Sequence, residues 1–262
     1  MDIIVCIKRV PDTAEIPVTI DGTEKGIKMG DLNFDINEAD SYALEEALLI
    51  KERLGGTVSV ISVGDEEAND ILRMGLAKGA DTAIRIWDDH CDHSDGHAIA
   101  RILSQALRTR PFDLILTGCM AADDGLCQVG PTLAELLDIA HATFITRVDI
   151  KEHSSVVQRE LEGGVLEILE MGLPALLTIQ TGINKPRYAS MLGIRKAAQK
   201  QIEAMDLNDI GLDGKEVGEA GSKIRIERLY IPPVTKRAEI IEGSTEEVSM
   251  KLAELFKGKG VL

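Results

Sequence analysis

EADSYALEEALLIKERLGGTVSVISV, residues 38–63, decides the fold. Its opening segment, Glu38 to Leu54, sets Ala39, Ala43, Leu44, Ala47, Leu48 and Leu54 on one side of a helix, the 3.6-residue period of an amphipathic segment. Gly55-Gly56 then ends the helix, since glycine enters the left-handed backbone region without strain. Thr57–Val63 alternates with a period of two and reads as a strand. A second strand comes before the helix: Ile3 to Ile7 is an apolar run. Strand, helix and strand joined by short turns are the repeating unit of a parallel sheet covered by helices.

Working outward, the alternation continues. Ile16–Ile20 and Ile27–Met29 flank Asp21-Gly22, a hairpin turn signal. Glu66–Lys78 reads as a helix stopped by Gly79, and Thr82–Trp87 as a strand. Gly96–Arg108 is a helix with Ser94 or Asp95 as its cap. Leu114–Thr117 is a short buried strand ended by Gly118, and Gly130–Leu137 a helix with Pro131 in its first turn. Phe144–Ile150 and Val156–Glu160 are strands. Gly163-Gly164 supplies a tight turn; Val165, Ile168 and Leu169 resume a strand, and Pro174 opens the next, Ala175–Ile179. The predicted fold class is α/β: a doubly wound, mostly parallel, Rossmann-like sheet. Ligands of such sheets bind beyond the carboxyl ends of the strands. Lys8-Arg9-Val10, Val63-Gly64-Asp65 and Gly118–Gly130 fall on that rim.

After about Gln180 glycines interrupt any packed pattern, at 182, 193, 211, 214, 218 and 221. The sequence therefore divides into an α/β domain, 1–180, and an arm, 181–262, that lies on another protein. Within the arm, Arg195–Gln201 is a short basic helix and Tyr230–Val234 carries Pro232-Pro233. Glu246–Lys257 is an amphipathic helix with Val248, Leu252, Leu255 and Phe256 on one side.

Composition agrees. Hydrophobic residues make up 44% of the 262 and aromatics only 3%, the Ile/Leu/Val/Ala core usual for parallel sheets. A net charge of −15 argues against nucleic acid or an anionic membrane as partner. Cys6, Cys91, Cys119 and Cys127 form no C-x-x-C pair, the usage of a reducing compartment. MDIIVCIKRV is too short and too soon charged for a signal peptide, and no apolar run nears the roughly 20 residues of a membrane span. A bacterial or archaeal cytoplasm is the expected location.

One loop stands out chemically. Gly118–Gly130, GCMAADDGLCQVG, joins a strand end to a helix start, where free N–H groups attract phosphate. Asp123-Asp124 reads equally as a solvated turn. No G-x-G-x-x-G or G-x-x-x-x-G-K-[ST] is present. His90, Cys91, His93 and His97 are potential metal ligands, but their spacing matches no zinc pattern and reads as a polar loop with a helix cap. No nucleophile elbow, Ser-His-Asp order or carboxylate pair emerges. Binding, rather than stand-alone catalysis, is the expectation.

Four segments carry a resemblance: IVCIKRVPD (4–12), NEADSYALEEALLIKE (37–52), Arg159–Thr178 and NKPRYASMLGIRKA (184–197). Together, nearly end to end, they resemble the β subunit of electron transfer flavoproteins. The resemblance implies a nucleotide-binding α/β domain paired with an α subunit that carries the redox-active FAD. It implies electron passage between dehydrogenases, such as acyl-CoA dehydrogenases, and a downstream acceptor protein. The β subunit of the family holds AMP or, in electron-bifurcating members that oxidise NADH, a second FAD, and its C-terminal arm wraps around α. By the family pattern Cys6, Asn37, Val63 and Gly64 line the adenosine. Gly118 opens the nucleotide loop, and Asp123, Gln128, Val129 and Gly130 hold ribose and phosphate. Thr13 approaches the flavin of the α subunit. Asn184–Lys200 resembles the loop that docks dehydrogenases, with Met191 as anchor beside Tyr188, Leu192, Arg195 and Lys196. Cys119 and Met120 depart from the basic residue and Gln usual there, and Cys127 stands where a polar residue is common. VPDT and QVGP look closer to bifurcating members, and Ala121, Ala122 and Gly125 leave room for a flavin. The alternatives of other classes are a stand-alone nucleotide-binding stress-type protein and a nucleotide hydrolase of the same superfold.

Overall fold

The computed structural model describes residues 1–13, 16–30, 32–233, 238 and 240–261. The chain begins with β1 (Asp2–Cys6), β2 (Arg9–Asp12), β3 (Asn33–Ile36), α1 (Glu38–Leu54), β4 (Thr57–Val63), α2 (Asn69–Lys78), β5 (Thr82–Ile86), α3 (Gly96–Leu107) and β6 (Leu114–Gly118). It continues with α4 (Val129–Leu137), β7 (Ala140–Ile150), β8 (Ser154–Leu161), β9 (Val165–Gly172) and β10 (Ala175–Ile179). Last come α5 (Met191–Gln199), β11 (Glu203–Met205), α6 (Gly218–Gly221) and α7 (Thr245–Gly258).

The large sheet runs β11-β5-β4-β1-β6-β10-β7-β8-β9. Neighbours from β11 to β7 are parallel, and the β8–β9 hairpin completes it antiparallel. The period-two pattern of β1 divides the core. Ile3, Val5 and Ile7 pack with Leu44 and Leu48 of α1 and Leu72 and Leu76 of α2. Ile4 and Cys6 pack with Ile102 and Leu103 of α3 and Leu133 of α4. Both faces are therefore wound with helices, as expected. From β1 the chain builds outward first through β4 and β5, then on the other side through β6. The strand order thus reverses between β1 and β6, which opens a crevice at their carboxyl ends.

Local chemistry explains the boundaries. Gly55 ends α1 at φ 75°. Asp95 caps α3, accepting from Ala98 N at 2.9 Å. The expected hairpin near Asp21 reduces to one bridge, Ile20 to Ile27, because the Asp21 carboxylate turns the chain itself by accepting from Thr23 N and Oγ1.

The boundary drawn at residue 180 moves. One compact unit spans Met1–Glu227 and a second Arg228–Leu262. Residues 181–227 stay with the first because they contribute buried Ala197, Leu207, Ile210, Leu212 and Val217, and because β11 extends the sheet beside β5. Of Tyr230–Val234, Val234 lies outside the described residues.

Candidate functional site

A cleft of about 190 Å³ opens where the strand order reverses. Its floor is the ends of β1, β4 and β6: Cys6, Ile7 and Lys8, then Ile61 to Val63, then Thr117 and Gly118. Its walls are the starts of α1, α3 and α4 and the loop after β6. Of the residues expected at a nucleotide, Cys6, Asn37, Val63, Gly118, Gln128, Val129 and Gly130 all face it.

Asn37 precedes α1 but does not cap it. Its amide instead donates to Met120 O at 2.9 Å and accepts from Ala122 N at 3.0 Å. This buried side chain therefore fixes the post-β6 loop over the cleft. Lys8 reaches the same loop from the other side, pairing with Asp123 at 2.7 Å and Asp124 at 3.0 Å. Asp123 thus stands at the mouth, in an ion pair, rather than on the lining. Burial works against the Lys8 charge, yet the two aspartates carry its pKa above the ordinary value.

Two helices begin at the cleft and differ in electrostatics. The start of α3 is occupied by the Asp95 carboxylate, which also accepts from Lys223 N at 2.6 Å and Ile224 N at 2.9 Å. The start of α4 carries no side-chain cap. Its first-turn N–H groups at Val129 and Gly130, with the helix dipole behind them, form the end suited to an anion. Ile61, Val63, Ile99, Leu103 and Val129 supply apolar surface against which a flat ring can rest.

Sequence reasoning missed Asp40, the buried carboxylate of the cleft. It is 6% exposed and accepts from Lys8 N at 2.7 Å and Gly118 N at 2.9 Å. Burial pushes its pKa up to about 6, against the hydrogen bonds that favour the ion. The signal was present: Asp40 shares a helical stripe with Ala43, Leu44 and Ala47, an acid on an apolar face. Thiols also line the cleft. Burial raises the pKa of Cys6, and raises that of Cys119 to about 11; Cys119 donates to Gln180 Oε1 at 3.1 Å.

Other expected residues sit elsewhere. Gly64 lies just beyond the lining, its N–H bonded to Ile86 O; a Cβ there would come 2.9 Å from Ala68 Cβ. Thr13 is exposed and outside the cleft. Tyr188, Met191 and Leu192 are 97%, 77% and 61% exposed, with Arg195 and Lys196 exposed beside them on α5. In the His90–His97 loop the His90 ring bonds Asp88 at 2.7 Å and Cys91 is buried. Among the described residues no group of His, Cys, Asp and Glu could hold a metal ion, and no helix is long and apolar enough to cross a membrane.

The family model described as the electron transfer flavoprotein domain matches residues 27–210. The chain is 40% identical over 267 residues to the electron transfer flavoprotein subunit beta of Methylophilus methylotrophus, covering 98% of this chain and 100% of that one. It is 38% identical over 260 residues to the same subunit of Bacillus subtilis, at 99% and 98% coverage. It is 34% identical over 265 residues to the Caffeyl-CoA reductase-Etf complex subunit CarD of Acetobacterium woodii, with both chains fully covered.

Proposed function

The chain belongs to the electron transfer flavoprotein family as a β subunit, and on that premise we propose that its cleft holds an adenine mononucleotide, AMP, while a partner α subunit carries the redox-active FAD. The observation that carries this reading is the uncapped start of α4, set opposite apolar side chains from β4 and α3 at the reversal of strand order. The donor set fits: N–H groups at Val129 and Gly130 for phosphate, and Ile61, Val63, Ile99 and Leu103 for the base. A volume of about 190 Å³ is small beside the roughly 300–1,000 Å³ usual for small-molecule and cofactor sites. Of the two candidates the smaller, AMP, is the better match to so small a cleft, although VPDT and QVGP look closer to members that bind two flavins. A flavin supplies one- and two-electron redox chemistry. The residues of this chain bind, orient and fix the nucleotide, so its part is structural within an electron carrier.

The exposed Tyr188, Met191 and Leu192, with Arg195 and Lys196, form the proposed contact for an electron-donating dehydrogenase; a thioether anchor suits partners of differing shape. Met191→Ala is expected to slow inter-protein electron transfer with flavin content unchanged. The residues from 228 onward are the proposed arm on the α subunit. All four thiols are free, in keeping with a reducing cytoplasm.

The test is co-expression and co-purification with an α subunit, followed by extraction and quantification of bound nucleotides. One FAD and one AMP per heterodimer, with no reduction by NADH, are expected. Two flavins and rapid reduction by NADH would replace this with the bifurcating reading. Absence of any adenine nucleotide would remove the cleft assignment.

A further inference from the structure

We propose that Asp40 is the positioning residue of the nucleotide cleft: its carboxylate clamps the ends of β1 and β6 together by accepting from Lys8 N and Gly118 N, and the cleft retains nucleotide only while both bonds are made. The inference rests on the proposed nucleotide reading of this cleft.

The geometry is specific. β1 and β6 are the strands between which the order reverses, so their ends set the width of the crevice. Asp40 reaches both from the first turn of α1, with Oδ2 on Lys8 N and Oδ1 on Gly118 N. It fits only because residue 118 is glycine: a Cβ there would overlap Asp40 Oδ1. Lys8 and Gly118 both line the cleft, and their neighbours Ile7 and Cys119 do too. A shift at either strand end therefore moves the walls.

Burial works against the charge, and the bonds from Lys8 N and Gly118 N offset it only in part. Asp40 has a folded pKa above its unfolded value, so the folded state favours the protonated form. The stability this group contributes is present below the unfolded pKa and is lost as pH rises through about 6. A buried acid held against this tendency, in a cleft and with two bonds to adjacent strand ends, marks a functional constraint. Protonation turns one of the two acceptor oxygens into a donor and frees one strand end. Asparagine reproduces that state at every pH, since it offers one acceptor and one donor group.

Other groups facing the cleft are distinguishable. Cys6 and Cys119 have raised pKa values and stay protonated. Lys8 has a raised pKa and stays charged. Hydrogen bonds to backbone N–H groups hold the Asp95 pKa below the ordinary value despite partial burial. Cys127 and Asp124 face the cleft from the loop; Asp123 pairs with Lys8 at the mouth, and both aspartates are controlled for directly.

The experiment measures AMP affinity of the purified heterodimer by equilibrium dialysis from pH 5.0 to 8.0, for wild type, Asp40→Asn and the double variant Asp123→Asn/Asp124→Asn. Thermal unfolding of each is followed at pH 7.5. Wild type is expected to lose about tenfold in affinity as pH falls through about 6, the scale of one charge-assisted hydrogen bond, beyond the loss that protonation of AMP's own phosphate brings to every variant. Asp40→Asn should bind about tenfold more weakly than wild type at pH 7.5, keep only the shallower pH dependence that AMP's own phosphate brings, its second pKa lying at about 6, and unfold at no lower temperature. The double variant should keep the step. Equal pH profiles in wild type and Asp40→Asn, or a joint fall in affinity and unfolding temperature, overturn the proposal and leave a packing role. Should Asp40→Asn fail to fold, a step in wild type that the double variant loses would overturn it as well. No AMP binding by wild type at any pH would instead remove the nucleotide reading beneath it.

Discussion

A Cβ added at Gly130 would lie 2.5 Å from Thr178 Cγ2 and 2.9 Å from Thr117 Oγ1. The glycine therefore seats α4 against β6 and β10, and its lack of a side chain serves packing as well as any ligand. Gly130→Ala is expected to destabilise the chain by about 1–3 kcal/mol, the range for overpacking a filled core. Urea unfolding checks this; an unchanged midpoint would return the glycine to a role in ligand approach alone. The thiols give a second expectation at this scale. Thiolate is the reactive form. Burial raises the pKa of Cys6, Cys91 and Cys119, the last to about 11, whereas Cys127 is partly exposed on the loop at φ 54°. Iodoacetamide at pH 7.5 should label Cys127 in the folded chain and reach the other three only in denaturant. Peptide mapping reads this directly, and fast labelling of Cys119 would contradict the burial argument.

At the level of elements, the segment carrying Tyr188 and Met191 is held to α1 by a set of polar contacts. Arg187 forms a bidentate pair with Glu45, whose side chain is only 6% exposed, and a second pair with Glu52 at 2.6 Å. Asn184 donates to Tyr42 O and Glu46 Oε2, each at 3.0 Å. Further on, Arg73 donates to Ala197 O, and Lys200 to Ala80 O and Asp81 O. Arg187→Ala leaves Glu45 buried without its partner. The expected loss is roughly 2 kcal/mol, below the value for a fully buried pair because Arg187 keeps about a third of its side chain in water. Limited proteolysis should then cut within residues 184–190, where wild type resists; equal resistance would show that α5 packing alone suffices. Most helices and strands were legible in the sequence, because Leu44, Leu48, Ile71, Leu72, Ile102 and Leu103 follow the helical period and Ile3–Ile7 a strand run. β11 was not: Glu203-Ala204-Met205 carries no pattern and joins the sheet through backbone pairing at its edge. Nor was the packing of residues 206–217, where isolated Leu207, Ile210, Leu212 and Val217 are buried without a period. Of the cleft, the loop and the α4 start could be placed on the rim from the sequence, and both line it. Asp40 was hidden, since an acid in the first turn of a helix ordinarily reads as a match for the dipole.

The whole molecule divides into a unit with a double-faced core, Met1–Glu227, and a second, Arg228–Leu262, that has none among its described residues. In the second, α7 is well started: Ser244 and Glu247 form a capping box. Yet none of its residues is buried, and Met250, Leu252, Leu255 and Phe256 are 62%, 39%, 42% and 45% exposed, as are Ile231 at 78% and Ile240 at 83%. A helix of this length is marginal in water by itself, and a run of exposed apolar side chains marks an interaction surface. The first unit keeps its sheet, both layers of helices and the entire cleft lining without this segment. A chain ending at Glu227 is therefore expected to unfold cooperatively within about 3 °C of the full chain, the shift left by losing less than 1 kcal/mol in a domain of this size. It should retain AMP but fail to co-purify with the α subunit. A large drop in unfolding temperature would show that residues 228–262 complete the core, and undiminished co-purification would place the α contact on the first unit instead.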